Sequence, residues 1–303
     1  MSEMLPGPRW VSSLEASRYA SGRCYVTFDG HRYDDDEPYV FVTDDFGKTW
    51  KSIRGNLPTT AGVTRVIRED IVNENVLYLG CEFSAWVSVD KGANWTQFKS
   101  NMPTVAVHDF AQHPSSGEIV LGTHGRGAWI ADVTALRQWT PDNQKSAAML
   151  YRPNQVVLWE RGIERGNNGP QEFVGENPSR SAHLYYSLGQ NANSVELTMT
   201  DLNGEVVHIF PEVSAEKGLH HIEWDLRPNR GNTDNQGGGG PGRGGFRGFG
   251  GGNGPATYLL TLKVDGAVQT KTLELVADPN RPSDAVGSEL TDEEFNELIG
   301  IDD

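Results

Sequence analysis

The chain has only two cysteines in 303 residues, Cys24 and Cys81, too few for a disulfide framework. Both sit in apolar, strand-like stretches and read as buried thiols, which leaves the redox compartment open. No run of about 18 apolar residues occurs, and Met1 to Trp10 lack the basic and apolar regions of a secretion signal. The expectation is therefore no membrane span and no export signal within these residues. Basic residues are also scarce. Against 41 Asp and Glu stand 26 Lys and Arg, a formal charge of −15, so a nucleic acid or an anionic membrane would meet long-range repulsion. Eight of the acids crowd the last twenty positions (Asp284, Glu289, Asp292, Glu293, Glu294, Glu297, Asp302 and Asp303), with no Lys or Arg after Arg281. The remainder is an ordinary soluble surface.

The common signatures of catalysis are missing too. There is no nucleophilic-serine elbow, no Walker loop and no dinucleotide fingerprint at a strand-helix junction. His108, His113 and His124 have no zinc-ligand spacing, and His113-Pro114 reads as a turn ending a strand. Residues 237–254 hold 12 of the 35 glycines, interrupted by Arg243, Phe246, Arg247 and Phe249. Two arginines in an acidic protein supply little charge for RNA, so the tract reads as a loop between strands. No metal, cofactor or nucleic-acid partner is expected.

What the chain does contain is a repeat. Thr43-Asp44-Asp45-Phe46-Gly47-Lys48-Thr49-Trp50 recurs as Ser88-Val89-Asp90-Lys91-Gly92-Ala93-Asn94-Trp95, and the 45-residue register continues from Leu57-Pro58 to Met102-Pro103. A degenerate third unit aligns Leu77-Tyr78-Leu79-Gly80 with Ile119-Val120-Leu121-Gly122 but has lost the octapeptide. Turn residues divide the first two units into four short strands each, near 10–17, 22–29, 39–44 and 49–54, then near 63–69, 76–82, 85–89 and 94–99. Four strands in roughly 45 residues is the size of one propeller blade. The octapeptide itself predicts a hairpin between third and fourth strands. Asp45 and Asp90 accept backbone N–H groups of their own turns, Gly47 and Gly92 supply positive φ, and Trp50 and Trp95 enter the outer strand to be buried between blades.

This octapeptide resembles the Asp-box, or BNR repeat, of sialidases, sortilin-type receptors and some xyloglucan-cleaving glycoside hydrolases. Asp35-Asp36-Glu37-Pro38-Tyr39-Val40, Gly55-Asn56-Leu57-Pro58 and Gly122-Thr123-His124-Gly125-Arg126-Gly127 resemble the large bacterial proteins described as sortilin-like or glycosyl-hydrolase BNR-repeat proteins. The resemblance implies a many-bladed propeller followed by an immunoglobulin-like domain and a short helical tail, of which this chain matches the end. Three blades would leave open edges, because closure needs about four or more, so further blades of a parent chain are expected upstream.

After about residue 150 the period vanishes and longer hairpins follow. Val195, Leu197 and Met199 alternate with polar residues before a turn at Asn203-Gly204, and Tyr258, Leu260, Leu262 and Val264 share one face before a turn at Asp265-Gly266. Ile222, Trp224 and Leu226 form a further alternating run. This predicts an antiparallel β-sandwich. Residues 290–300 carry a capping box, Thr291 to Glu294, and helical spacing. The expected architecture is all-β: about three four-stranded propeller blades over 1–140, an immunoglobulin-like sandwich over 141–280, and an acidic tail over 281–303 that starts a helix.

Successive connections in a blade alternate between its two ends. The connections opposite the octapeptides are His31-Arg32-Tyr33-Asp34-Asp35-Asp36-Glu37, Glu82-Phe83-Ser84 and His124-Gly125-Arg126. The aspartates read either as a solvated loop or as oxygen ligands without calcium-loop spacing. Glu82 reads as a loop anchor, or as a general acid or base if a second carboxylate faces it. His124 and Arg126 can hydrogen-bond a carboxylate or sugar, or Arg126 can satisfy carbonyls between blades. The functional expectation is a binding or scaffold module for glycan or peptide at the cell envelope. The alternative is part of a glycoside hydrolase whose carboxylates lie partly in upstream blades.

Overall fold

The computed structural model describes residues 2–98, 101–140, 143, 145–159, 181–227 and 255–279. The glycine tract at 237–254, the acidic tail and the helix expected at 290–300 lie outside these residues. Cys24 and Cys81 are both free, and Cys81 is buried.

Three antiparallel meanders come first. One sheet contains β1 (Trp10–Ala16), β2 (Cys24–Asp29), β3 (Tyr39–Thr43) and β4 (Lys51–Ser52) in sequence order, and the next contains β5 (Thr64–Glu69), β6 (Leu77–Cys81), β7 (Ala85–Ser88) and β8 (Thr96–Gln97). The third contains only β9 (Val107–Gln112), β10 (Glu118–Thr123) and β11 (Ala128–Asp132) among the described residues, which corrects the expected fourth strand. The reason is local: without an octapeptide to reverse the chain after β11, it enters a short helix, α1 (Thr134–Arg137).

The second sheet is apolar on both faces. Leu77, Leu79 and Cys81 join Tyr25, Val40, Val42 and Trp95 in a cluster against the first sheet. Val76 and Tyr78 point the other way, against Val107, Phe110, Ile119 and Leu121 of the third. Alternation along a strand thus explains why Val76-Leu77-Tyr78-Leu79 can be continuously hydrophobic and wholly buried.

Both octapeptides build one hydrogen-bond network. Asp45 Oδ1 accepts from the Thr49 N–H at 2.8 Å and the Thr43 hydroxyl at 2.9 Å, and Asp90 Oδ1 accepts from the Asn94 N–H and the Ser88 hydroxyl, each at 2.8 Å. The same hydroxyls accept from Gly47 N–H at 2.9 Å and Gly92 N–H at 2.8 Å. Gly47 and Gly92 have φ of +83° and +86°, and a Cβ on Gly92 would also meet Ile53 of the first sheet at 2.9 Å. The residue before each glycine, Phe46 or Lys91, is left-handed as well.

The tryptophans differ. Trp95 is 2% exposed and donates its indole N–H to the Ile53 carbonyl of the preceding sheet. Trp50 is only partly buried and turns its N–H back to Gly47 O at 3.0 Å, so the expected burial between sheets holds for Trp95 alone.

A buried ion pair ties the second sheet to the chain leaving the third. Asp70 is fully buried and receives the Tyr78 hydroxyl and Arg137 Nε, each at 2.9 Å on Oδ2, and the Val72 and Asn73 N–H groups on Oδ1. Beside it, buried Glu69 accepts from the Ser17 and Tyr25 hydroxyls and the Arg18 N–H, which anchors the end of β1.

The remaining strands form two sheets around one apolar cluster. In one lie β12 (Ala148–Leu150), β14 (Ala182–Leu188) and β17 (Gly218–Trp224); in the other, β13 (Val156–Leu158), β19 (Ala267–Ala277), β18 (Ala256–Val264), β15 (Val195–Thr200) and β16 (Val206–Ile209). Leu184, Tyr186 and Trp224 from the first pack with Leu197, Met199, Leu260, Leu262 and Leu273 from the second. Two expectations are corrected. β13 runs parallel to β19, because the chain changes sheet between β12 and β13 and enters beside a strand of its own direction. Leu226 lies beyond β17 in a left-handed conformation, φ +63°, rather than extending the alternation.

Two stability predictions follow from these networks. Arg137→Met leaves Asp70 buried without its cation and is expected to cost about 3–5 kcal/mol in urea unfolding. For Asp45, the Thr49 N–H and hydroxyl hold its carboxyl down to about 2. Its contribution is therefore complete above the unfolded value of about 3.9 and is lost as pH falls through about 2. Acid unfolding of Asp45→Asn should show a deficit at pH 6 that disappears near pH 2; a deficit constant across that range would contradict the network.

Candidate functional site

Each of the first three sheets carries the same irregularity between its first two strands. The register skips one residue in β1 (Ser12), one in β5 (Arg65) and one in β9 (His108). A β-bulge re-aims the unpaired side chain and turns the strand. At the same end of the sheets, Asp29 is the last residue of β2, and Glu82 and His124 directly follow β6 and β10. The bulges therefore set Ser12, Arg65 and His108 in one row with Asp29, Glu82 and His124, at the end opposite the octapeptide turns.

Arg65 joins the two carboxylates of this row. Its Nε and Nη2 donate to Glu82 Oε2 at 2.8 and 2.5 Å, and its Nη1 donates to Asp29 Oδ2. Ser12 joins the row by donating to the Thr64 carbonyl at 2.7 Å. The His108 and His124 rings lie 5.3 Å apart, tilted by 35°. Partial burial, then the Arg65 and His124 charges, push the His108 pKa down, and Glu82 and Asp29 oppose this. The five groups form one electrostatic unit. Aromatic rings flank it: Trp10, opposite Asp29 in the ladder, is 56% exposed, and Phe83, next to Glu82, is 46% exposed.

The β2–β3 connection is more ordered than a solvated acidic loop. Asp35 Oδ2 accepts from Arg9 Nε at 2.9 Å, from Arg9 Nη2 at 2.5 Å and from the Tyr39 hydroxyl at 2.9 Å. Burial resists ionisation of Asp35, but the Arg9, Glu37 N–H and Tyr39 donors outweigh it and lower its pKa. Arg9 lies over the Tyr33 ring at 5.1 Å, and Arg32 over the Trp10 ring at 5.5 Å. His31 approaches Asp36 at 3.7 Å, both exposed. No group of three or more His, Cys, Asp or Glu is placed to hold a metal among the described residues.

The connections expected to converge thus differ in role. Asp35 is a loop anchor, Asp36 and His31 form an exposed pair, Arg32 caps an aromatic ring, and Glu82 and His124 belong to the bulge row. Arg126 is exposed beyond them, and its carbonyl receives the Trp129 indole at 3.1 Å. Sequence reading does not single out Asp29, Arg65 or Trp10, and it places Tyr33 and Phe83 on the converging connections without giving them a role. Arg65 carries no sequence signal that separates it from Arg68 and Glu69 on the same strand; only the bulge it shares with His108 of the third sheet sets it apart.

Charge removal within the row has a predictable effect. Arg65→Met leaves Asp29 and Glu82, 19% and 29% exposed, facing each other without their cation. The expected cost is about 1–3 kcal/mol by chemical denaturation, whereas Arg126→Ala should be nearly neutral.

Comparison with known proteins adds context. No family model matches the chain. It is 26% identical over 127 residues to the vacuolar protein sorting/targeting protein 10 of Leptosphaeria maculans, a match covering 42% of this chain and 8% of that protein. Among solved structures it is similar to PorZ, a surface component of the type-IX secretion system of Porphyromonas gingivalis, at 12% identity and a TM-score of 0.34 over 88% of this chain and 30% of that one. It is similar at the same identity and TM-score to the GH74 enzyme of Niastella koreensis, over 86% and 30% of the two chains. A GH74 xyloglucanase of Xanthomonas campestris shares 14% identity at a TM-score of 0.33, over 87% and 38%. The chain therefore spans under a tenth of its curated relative and about a third of these structures. No helix among the described residues is long and apolar enough to cross a membrane.

Proposed function

We propose that the first three sheets are blades of an Asp-box β-propeller, that the paired sheets form an immunoglobulin-like module behind them, and that this unit is the C-terminal part of a longer sortilin-like protein. The divisions fall at 1–140, 141–280 and 281–303. Its role is binding, with a glycan as first ligand class and an extended peptide as second, outside the cytoplasm.

The observation that carries this reading is the repeated bulge. Three blades use one backbone device to put polar side chains on one end, and exposed aromatics border that row. Planar hydrogen-bonding groups beside open aromatic faces suit sugar rings, which offer hydroxyls at their edges and C–H groups on their faces. Catalysis is less well served. Asp29 and Glu82 are bridged by one guanidinium instead of standing across an open gap that admits a glycosidic bond.

Oligosaccharide and peptide arrays, followed by calorimetry on any hit, test the reading. Binding should fall at least about tenfold in Trp10→Ala or Glu82→Gln, equivalent to about 1.4 kcal/mol, and stay unchanged in Asp90→Asn at the other end. Silence on both arrays would sink the proposal. Release of reducing sugar that Glu82→Gln abolishes would favour the hydrolase instead.

A further inference from the structure

A second cluster lies where the third sheet meets the paired sheets. His183 on β14 and His221 on β17 are joined ring to ring, with Nδ1 of the first and Nε2 of the second 2.8 Å apart. Their ring centres are 5.1 Å apart and their planes differ by 13°. That spacing fits two imidazoles side by side in one plane, joined nitrogen to nitrogen, and not a face-to-face stack. Such a bond contains one proton, so one ring donates and the other accepts. Tyr185 packs against His221 with centres 4.9 Å apart, and burial, then the Asp132 carboxylate at the end of β11, push the Tyr185 pKa up. Glu223, paired with His183 in the ladder, is held by the Ser181 hydroxyl. The groups facing His221 are thus His183 and Tyr185 from β14, Glu223 from its own strand and Asp132 from the third sheet.

We propose that His183 and His221 form a pH-responsive switch at this junction: one bridging proton holds the rings together, and when both rings are charged they part and His221 swings against Tyr185 toward Asp132. The pair tolerates a first extra proton, because a charged imidazole can still donate to a neutral one. It cannot tolerate a second, because two charged rings have no acceptor between them. Burial and the His183 charge push the His221 pKa down, against the pull of Glu223 and Asp132. The joined arrangement is therefore complete above the free imidazole value of about 6.5 and is lost as pH falls below it toward the lower folded midpoint.

A histidine-resolved nitrogen NMR titration of the full chain from pH 8 to 4 tests this. His183 and His221 should titrate in two coupled steps, the second proton binding at least about tenfold more weakly than the first, and Tyr185 ring signals should move with the second step. In His183→Gln, His221 should titrate in one step nearer the ordinary value. Two independent steps with a common midpoint, or Tyr185 signals unmoved across the range, would overturn the switch. If the variant does not fold, the wild-type titration decides alone.

Discussion

The bulge that interrupts the first hairpin of every meander is the constraint on which the site depends. Backbone pairing normally sends alternate side chains to opposite faces, and the inner strand of a stacked sheet would then bury every second residue against its neighbour. Skipping Ser12, Arg65 and His108 breaks that alternation at one level in all three sheets. A guanidinium and an imidazole are then aimed at one end of the sheets, where Asp29 ends β2 and Glu82 and His124 directly follow β6 and β10. The octapeptide turns do complementary work at the far end, where their Asp and Ser or Thr side chains consume the polar groups of a tight reversal.

Between these two ends, the second sheet organises its neighbours. Its strands are apolar on both faces, and the carboxylates that end β5 reach outward, Glu69 to the last residues of the first sheet and Asp70 to the chain leaving the third. Asp70 with Arg137 is the costliest of these arrangements, since burying two charges pays back only when every lone pair is met. Here Tyr78 and two backbone N–H groups meet the rest. Stability and site geometry are thus coupled through β5, which carries Arg65 near its start and Glu69 at its end.

The sequence made much of this legible. Eight strands of the first two meanders fall where alternation and turn residues put them, and the octapeptide hydrogen bonds follow from residue type alone. The site was only half visible. Adjacency groups Asp35 with Asp36, yet Arg9, 26 positions away, converts it into an anchor. Arg65 and Asp29 are not legible because a bulge leaves no mark on composition: Arg65 is one of three charged residues on β5, and only the backbone skip turns it toward Asp29 and Glu82. Trp50 and Trp95 share a motif and differ in burial, since burial depends on the sheet behind each one. The parallel β13 likewise reflects a change of sheet that local patterning does not encode.

The most direct test of the central claim is a hydrogen-exchange footprint of the full chain with and without a ligand selected from oligosaccharide or peptide libraries. The account predicts slowed exchange around residues 10–12, 29–33, 63–66, 82–84, 107–109 and 123–125, with the turns at 43–50 and 88–95 unchanged. Protection centred on those two turns instead would place recognition at the opposite end and contradict it.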